Sequence, residues 1–478
     1  MKIHLETLGC QMNKLDSELL LGQFRTRGWD VVDEPADADA VLYNTCSVRD
    51  HAEQKVYSRL GRDAQRKLDR TAAGKVYVIA VFGCMAQRDA KEIRRRSKAV
   101  DIICAPGQID QLPALLEAAA DAQLASFQPI DPADLPTQTV AILTDPKRTE
   151  QADAVAEARI DQLDLTRDPE LRSNRNQAFV RVARGCNNFC SYCIVPYVRG
   201  PERSREPAHI VDETKKLVDA GVSEITLIGQ TVNRYRHTAG DVTTSFAQLL
   251  ETLHEIDGLR RLRFVTSHPS GFTRDILEAM RDLPKVCEYM HIPAQHGSDR
   301  LLAAMNRGYT RAEYDALVDL AREIVPGVAF ASDFIVGFPT ETETEHQQSL
   351  DLIRRSQFKN SFIFKYSPRP GTVSAKTMID DIANDVKKRR NNELLDAQRE
   401  AGLAHHAAYV GQQVDVLVTG PSRRSEKQAA PASGDAIQLM GRTPGDHIVL
   451  FDAPASLVDT YQALTVTEAN DLALFATL

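Results

Sequence analysis

No stretch of about 18 apolar residues occurs in the 478-residue chain, so no bilayer-spanning helix is expected. The start, Met1-Lys2-Ile3-His4-Leu5-Glu6, lacks a basic segment followed by an apolar one, which argues against a secretory leader. Cysteine is scarce at 8 residues, and an extracellular protein would more often commit these to disulfides than keep them as thiols. Both observations predict a cytoplasmic protein. Positive charge is not in excess either: 58 Lys and Arg against 66 Asp and Glu leave a net charge of −8. The chain as a whole therefore does not attract a polyanion, and any nucleic acid must bind through local basic patches. What the composition permits is a large globular core, and the length predicts two to four domains.

The few cysteines are not scattered. Three fall within Arg184-Gly185-Cys186-Asn187-Asn188-Phe189-Cys190-Ser191-Tyr192-Cys193, a C-x3-C-x2-C spacing. Three thiolates from one short loop can hold three irons of a four-iron cluster and leave the fourth without a protein ligand. An open coordination position is what separates a reactive metal centre from a structural one. The alternative, structural zinc, asks for a second paired knuckle at a regular offset, and none follows. Cys186, Cys190 and Cys193 are thus the candidate catalytic cluster ligands.

Residues 1–118 alternate strand-like and helix-like stretches, the pattern of a parallel α/β sheet covered on both faces. Strands are predicted at 2–8, 40–44, 75–82 and 100–104, with helices over 14–27, 48–68, 91–98 and from 111. Cys10, Cys46 and Cys84 follow the first three strands, and ligands of open α/β sheets gather beyond the carboxyl ends of the strands. The three thiols are therefore expected to converge. A buried Cys is also an ordinary small hydrophobe, and Cys104, ending the fourth strand, shows how readily that placement arises without a ligand role.

Residues 119–175, rich in Asp, Glu, Ala, Gln and Pro with few aromatics, are expected to bury little and to act as an acidic linker. From 176 to 403 six strand-then-helix periods appear, with strands predicted at 178–183, 224–229, 262–266, 289–293, 329–336 and 361–366. Six βα units predict an incomplete (β/α)6 TIM-like barrel whose functional groups stand on loops at the C-terminal ends of the strands. The cysteine loop follows the first of them. Residues 407–471 carry short alternating strands between Gly and Pro turns, which predicts a small antiparallel, OB-like barrel. Arg423, Arg424, Lys427 and Arg442 give it local positive charge, which a solvated surface would also show.

Several separated motifs name a family. Gly9-Cys10-Gln11-Met12-Asn13, Asn44-Thr45-Cys46-Ser47-Val48-Arg49, Gly83-Cys84-Met85-Ala86-Gln87 and Val195-Pro196-Tyr197-Val198-Arg199-Gly200-Pro201-Glu202-Arg203-Ser204-Arg205, with the cysteine loop, resemble the methylthiotransferases of the radical S-adenosylmethionine (SAM) superfamily. The likeness resumes at Thr266-Ser267-His268-Pro269, Asp333-Phe334-Ile335-Val336-Gly337-Phe338-Pro339 and Tyr366-Ser367-Pro368-Arg369-Pro370-Gly371-Thr372. The C-terminal barrel resembles a TRAM domain. Two departures stand out: His296 replaces the more usual Ser, and the acidic linker is longer.

The resemblance implies two 4Fe-4S clusters. One, on Cys186, Cys190 and Cys193, would bind SAM at its open iron, with Tyr192 packing on the adenosyl group and Gln230 contacting the same ligand. The other, an auxiliary cluster, would sit on Cys10, Cys46 and Cys84. The implied reaction adds a methylthio group to C2 of an N6-dimethylallyladenosine at position 37 of tRNA, with one SAM as methyl donor and another as radical source. An aromatic C2–H is neither acidic nor electrophilic, so the cofactor must supply the reactivity. The base must leave its stack, which costs least in a largely unpaired anticodon loop.

Implied partners are the tRNA anticodon stem-loop and an electron donor such as flavodoxin or ferredoxin; a monomer with no membrane partner is expected. Arg199, Arg203 and Arg205 are candidates to hold phosphates or a substrate carboxylate, while Cys104 and Cys287 are expected to be structural. Two other readings stay open. One keeps the chemistry but acts on threonylcarbamoyladenosine in tRNA or on a ribosomal-protein aspartate. The other is a non-catalytic iron-sulfur protein that binds RNA or carries electrons.

Overall fold

Runs such as Val78-Ile79-Ala80-Val81-Phe82 have no polar face to turn to water, and in the computed structural model they lie in the middle of a parallel sheet. The structure describes residues 1–47, 50–125, 141–143, 150–172, 174–425 and 436–478. These form two units, one of residues 1–173, 179–189 and 193–216, the other of 174–178, 190–192 and 217–478.

In the first unit, strands β1 (Lys2–Leu8), β2 (Asp30–Val31), β3 (Ala40–Thr45), β4 (Val78–Gly83), β5 (Ile102–Cys104) and β6 (Ala141–Leu143) make one sheet in the order β2-β1-β3-β4-β5-β6. Every pairing is parallel. Helices α1 (Gln11–Thr26), α2 (Asp50–Ala72), α3 (Cys84–Arg96), α4 (Leu112–Ala125) and α5 (Glu150–Leu165) accompany it. Both β3 and β4 are buried from end to end, as continuous apolar strands between helical layers must be. After β7 (Gln177–Arg181), the two-residue strands β8 (Ala183–Arg184) and β9 (Arg203–Ser204) pair antiparallel and bracket the cysteine loop.

The acidic segment is not the loose linker its composition suggests. Ala119 and Ala120 of α4 are buried, β6 extends the sheet beside β5, and α5 buries Ile160 and Asp164. The reason is electrostatic: Asp161 and Asp164 face buried arginines of the same unit instead of water. Within that segment, 126–140 and 144–149 lie outside the described residues.

In the second unit, β10 (Glu224–Ile228) pairs in parallel with β13 (Arg261–Phe264), and the Asn176 carbonyl accepts from the amides of Ser223 and Glu224. Between them β11 (Arg236–Ala239) and β12 (Val242–Ser245) form a hairpin. A second parallel sheet has the order β14 (Tyr289–His291), β15 (Ala329–Val336), β16 (Asn360–Lys365). A parallel bridge from Leu262 to Val286 joins β13 to the segment entering β14.

Strands β17 (Gln413–Pro421), β18 (Ala436–Arg442), β19 (Ile448–Pro454), β20 (Tyr461–Ala469) and β21 (Ala473–Thr477) close a barrel in the order β17-β18-β19-β21-β20. The expected boundary at 471 is therefore too early. β21 supplies the closing pairs to β19 and β20, and its Leu474 and Ala476 enter the barrel core. Buried arginines tie this barrel to the parallel strands of its own unit. Arg261 donates to the carbonyls of Arg442 and Asp415, and Arg263 to those of Pro444 and Thr443. Among the described residues no helix is long and apolar enough to cross a membrane.

Candidate functional site

The approach of Cys10, Cys46 and Cys84 follows from strand register. Leu8 lies opposite Thr45, and Thr45 opposite Gly83, so each cysteine leaves the same edge of three adjacent strands. Neighbouring strands are about 4.8 Å apart. Gly83, at φ +98°, makes the turn from β4 into α3: a Cβ there would stand 2.5 Å from the Thr45 carbonyl oxygen. Asn13 and Asn44 complete the bracket. Asn13 Nδ2 donates to Asn44 Oδ1 and to the Thr45 carbonyl, while Asn13 Oδ1 lies 3.2 Å from Cys10 Sγ. Cys10 caps α1 and Cys84 opens α3, so two of the thiols stand at the N-terminal ends of helices.

Among the described residues, no three His, Cys, Asp or Glu side chains gather as one metal ion would require. An iron-sulfur cage takes one thiolate per iron and spreads its ligands more widely. The all-thiol donor set and the glycine cradle fit such a cage. Cys104 does not join them: it sits level with Phe82, short of the edge, and its Sγ donates to the carbonyl of Gln108 at 3.3 Å.

Arg199 is the cation of this site. Its Nε donates to Cys84 Sγ at 3.2 Å and its Nη2 to Asp16 at 3.3 Å. Burial pushes the Cys84 thiol up, and Arg199 pulls against it. Burial opposes the Arg199 charge too, but Cys84, Asp16 and Cys10 hold its pKa above the ordinary arginine value. Asp16 also accepts from Arg181, which forks onto both oxygens of Asp164. Arg205 is bound to Asp161, Glu213 and the Arg181 carbonyl. Arg199 and Arg205 are therefore engaged inside the unit and are not the phosphate ligands that loop position suggested. Arg203 lines a cavity of about 210 Å³ with Arg184, Asp161, Asp164 and Glu206.

The second trio lies on the loop itself. Gly185, at φ +67°, brings the chain against Gly200 and Pro201, leaving no room for a Cβ, and the Cys186 amide donates to the Gly200 carbonyl. Cys186 and Cys190 are buried, Cys193 partly so. In the second unit, Arg307 Nη1 donates to Cys190 Sγ at 3.3 Å and Nη2 to the Pro293 carbonyl. Tyr192 packs edge-on to Phe338 at 6.5 Å.

Around the strand ends of this unit stand polar atoms that are buried and unpartnered among the described residues: Gln230 Oε1, Ser267 Oγ and His268 Nε2. Burial, then Arg307 and Arg234, push the His268 pKa down to about 2, so its ring is neutral and Nε2 is available to a ligand. Orphaned groups of this kind mark a place for a polar small molecule. Sequence reasoning singled out Gln230 and quoted His268 within a family motif without assigning it a contact, but missed Arg307. Arg307 has no motif around it, and only its tertiary neighbour Cys190 reveals it.

Family models separate the two cysteine trios. The model of the uncharacterized protein family UPF0004 matches residues 2–105, and that of the Radical SAM superfamily residues 180–353. The tRNA-2-methylthio-N(6)-dimethylallyladenosine synthase of Rhodopirellula baltica is 44% identical over 450 residues, covering 94% of this chain and 90% of that protein. The chain belongs to this synthase family. A second synthase, from Moorella thermoacetica, is 41% identical over 466 residues, 97% of this chain and 95% of its own. Among solved structures, the radical SAM methyltransferase TsrM of Kitasatospora setae, with cobalamin and a 4Fe-4S cluster bound, covers 78% of this chain and 74% of its own at a TM-score of 0.52 and 16% identity. That likeness is one of fold. Within this chain the UPF0004 match contains Cys10, Cys46 and Cys84, and the Radical SAM match contains the cysteine loop with β10 and β13–β15.

Proposed function

We propose that this chain is a radical SAM tRNA methylthiotransferase that adds a methylthio group to C2 of N6-dimethylallyladenosine at position 37. The observation that carries the reading is the register of β1, β3 and β4, which sends Cys10, Cys46 and Cys84 off one sheet edge while a separate loop carries Cys186, Cys190 and Cys193. Each trio suits a 4Fe-4S cluster with one iron open to a non-protein ligand. When bound, the clusters and SAM supply the radical that activates the C2–H bond and the sulfur and methyl that replace it.

The protein's own part is binding and electrostatics. Arg199 and Arg307 each offer an N–H to a cysteine sulfur. Tyr192 offers a ring face to the adenosyl group, and Gln230 offers an unpartnered amide oxygen to SAM. The two parallel sheets of the second unit are read as a partial (β/α)6 barrel, and the closed β17–β21 barrel as a TRAM-like RNA-binding element. Arg423 and Arg424 stay exposed there for RNA, whereas Arg442 is taken up by Asp446 and Lys427 lies outside the described residues. The enzyme works as a cytoplasmic monomer on the anticodon stem-loop, reduced by a flavodoxin- or ferredoxin-like donor.

The test separates the trios. Reduced wild type should release 5′-deoxyadenosine anaerobically and methylthiolate a stem-loop bearing N6-dimethylallyladenosine. Cys190→Ala should do neither; Cys84→Ala should still cleave SAM yet leave the nucleoside unmodified by mass spectrometry. Equal loss of SAM cleavage in both variants would sink the division of labour.

A further inference from the structure

Strand β16 lies at the edge of its sheet and beyond the Radical SAM match. Its Phe362 and Phe364 are 48% and 41% exposed. Parallel sheets are normally covered on both faces, so two bare phenyl rings on one of them call for an occupant. Register defines the face: Phe362 lies opposite Asp333 and Phe364 opposite Ile335, and alternation along a strand puts all four on one side. His291 joins them, its ring edge-on to Phe362 at 6.4 Å and its Nε2 3.4 Å from Asp333 Oδ2. At the other end Ile335 packs on the cluster of Leu301, Met305, Phe338 and Tyr366, against which Tyr192 also packs. The face is therefore an apolar strip that begins beside the aromatic of the cysteine loop and ends in an imidazole-carboxylate pair. The free edge of β16 is met by Asn391, which donates to the Ile363 carbonyl.

We propose that Phe362, Phe364 and Ile335 seat the N6-dimethylallyl branch of the substrate base, an inference that rests on the function proposed above. The branch is a short, uncharged, branched hydrocarbon, which two phenyl rings and a sec-butyl group cover without an unmet polar atom. Continuity with Tyr192 places the strip beside the expected SAM site. The Asp333 carboxylate at its polar end disfavours an N6 branch that ends in a carboxylate, as threonylcarbamoyladenosine does. Specificity here comes from a repulsive group as well as an attractive one.

The test compares two labelled anticodon stem-loops, one bearing N6-dimethylallyladenosine and one unmodified adenosine, by fluorescence anisotropy with the reconstituted enzyme. Wild type should prefer the prenylated stem-loop. Phe362→Ala and Phe364→Ala should each weaken its binding on the order of 10- to 100-fold, toward the value for unmodified RNA, while Phe362→Leu keeps most of the preference. Binding of the unmodified stem-loop should move little, which also shows that the variants fold. Equal weakening of both RNAs, or an intact preference with a raised KM for SAM, overturns the proposal, because the face would then read RNA in general or hold the cofactor. A wild type that methylthiolates the prenylated stem-loop yet binds both RNAs alike overturns this proposal alone. One that methylthiolates neither overturns the function on which it rests.

Discussion

Gly83→Ala isolates the geometry that brings Cys84 to Cys46. Gly83 holds φ +98° and its absent Cβ would lie 2.5 Å from Thr45 O, 2.8 Å from Asn44 Oδ1 and 3.0 Å from Thr45 N. None of these atoms yields easily: two belong to the backbone of a fully buried strand, and Asn44 is held through Nδ2 by the Asn13 carbonyl and Ser17. At φ +98° and ψ −162° the backbone lies in a region essentially reserved for glycine, which alone costs an alanine roughly 1–3 kcal/mol. Clearing the backbone contact raises the strain to about 2–4 kcal/mol, within the range for over-determined strained sites. At a factor of ten per 1.4 kcal/mol, the auxiliary site should hold its cluster roughly 100-fold less tightly.

The assay is iron and sulfide content after anaerobic reconstitution and a chelator challenge. Gly83→Ala should retain about half the wild-type iron, since one of two four-iron sites is weakened, and should still form 5′-deoxyadenosine. Gly28→Ala is the matched control. Gly28 also has a positive φ, +70°, but nothing lies within 4 Å of its Cβ position, so full iron content is expected. Wild-type iron retention in Gly83→Ala would refute the claim that this close approach shapes the auxiliary site.

Arg199→Met removes an N–H donor and a positive charge from Cys84 while Asp16 keeps Arg181. The auxiliary cluster should therefore become harder to reduce, a fall in midpoint potential on EPR-monitored titration that Arg199→Lys partly restores; an unmoved potential would make Arg199 merely structural. Acidification should destabilise the second unit well before its carboxylates titrate. Burial depresses the pKa of His268 to about 2 and of His405 to about 4, and lowers that of His447, from 6.5 when unfolded. Below pH 6.5 the unfolded chain then binds protons that the native state refuses. Stability present above pH 6.5 is lost as pH falls, by up to about 1.4 kcal/mol per pH unit for each ring. Urea midpoints at pH 7.5, 6 and 5 should decline; a flat series would show that the rings titrate normally.

The C-x3-C-x2-C loop was legible because its three thiols are neighbours along the chain, so covalent spacing alone confines them. The alternation of apolar strands and helices was legible for the same local reason, and it located the three strand ends at which Cys10, Cys46 and Cys84 stand. Composition misled where partners are distant. Asp161 and Asp164 read as solvated linker charge, yet the buried Arg205 and Arg181 pair with them. The two- and three-residue strands β2 and β6, and the closing strand β21, were invisible because their pairing supplies the evidence for them.

The sequence by itself determined which side chains carry chemistry: six cysteines in two trios, an aromatic beside one, and the motifs shared with a family. Tertiary structure decided what faces them. Whether Cys46 and Cys84 leave one edge depends on the Thr45–Gly83 register, whether Arg199 meets a thiol or a phosphate depends on where its loop returns, and whether Phe362 is core or surface depends on what covers β16. These are contacts between residues tens to hundreds of positions apart. Local periodicity carries no information about them, because it records only which face of an element is apolar and not which element lies against that face.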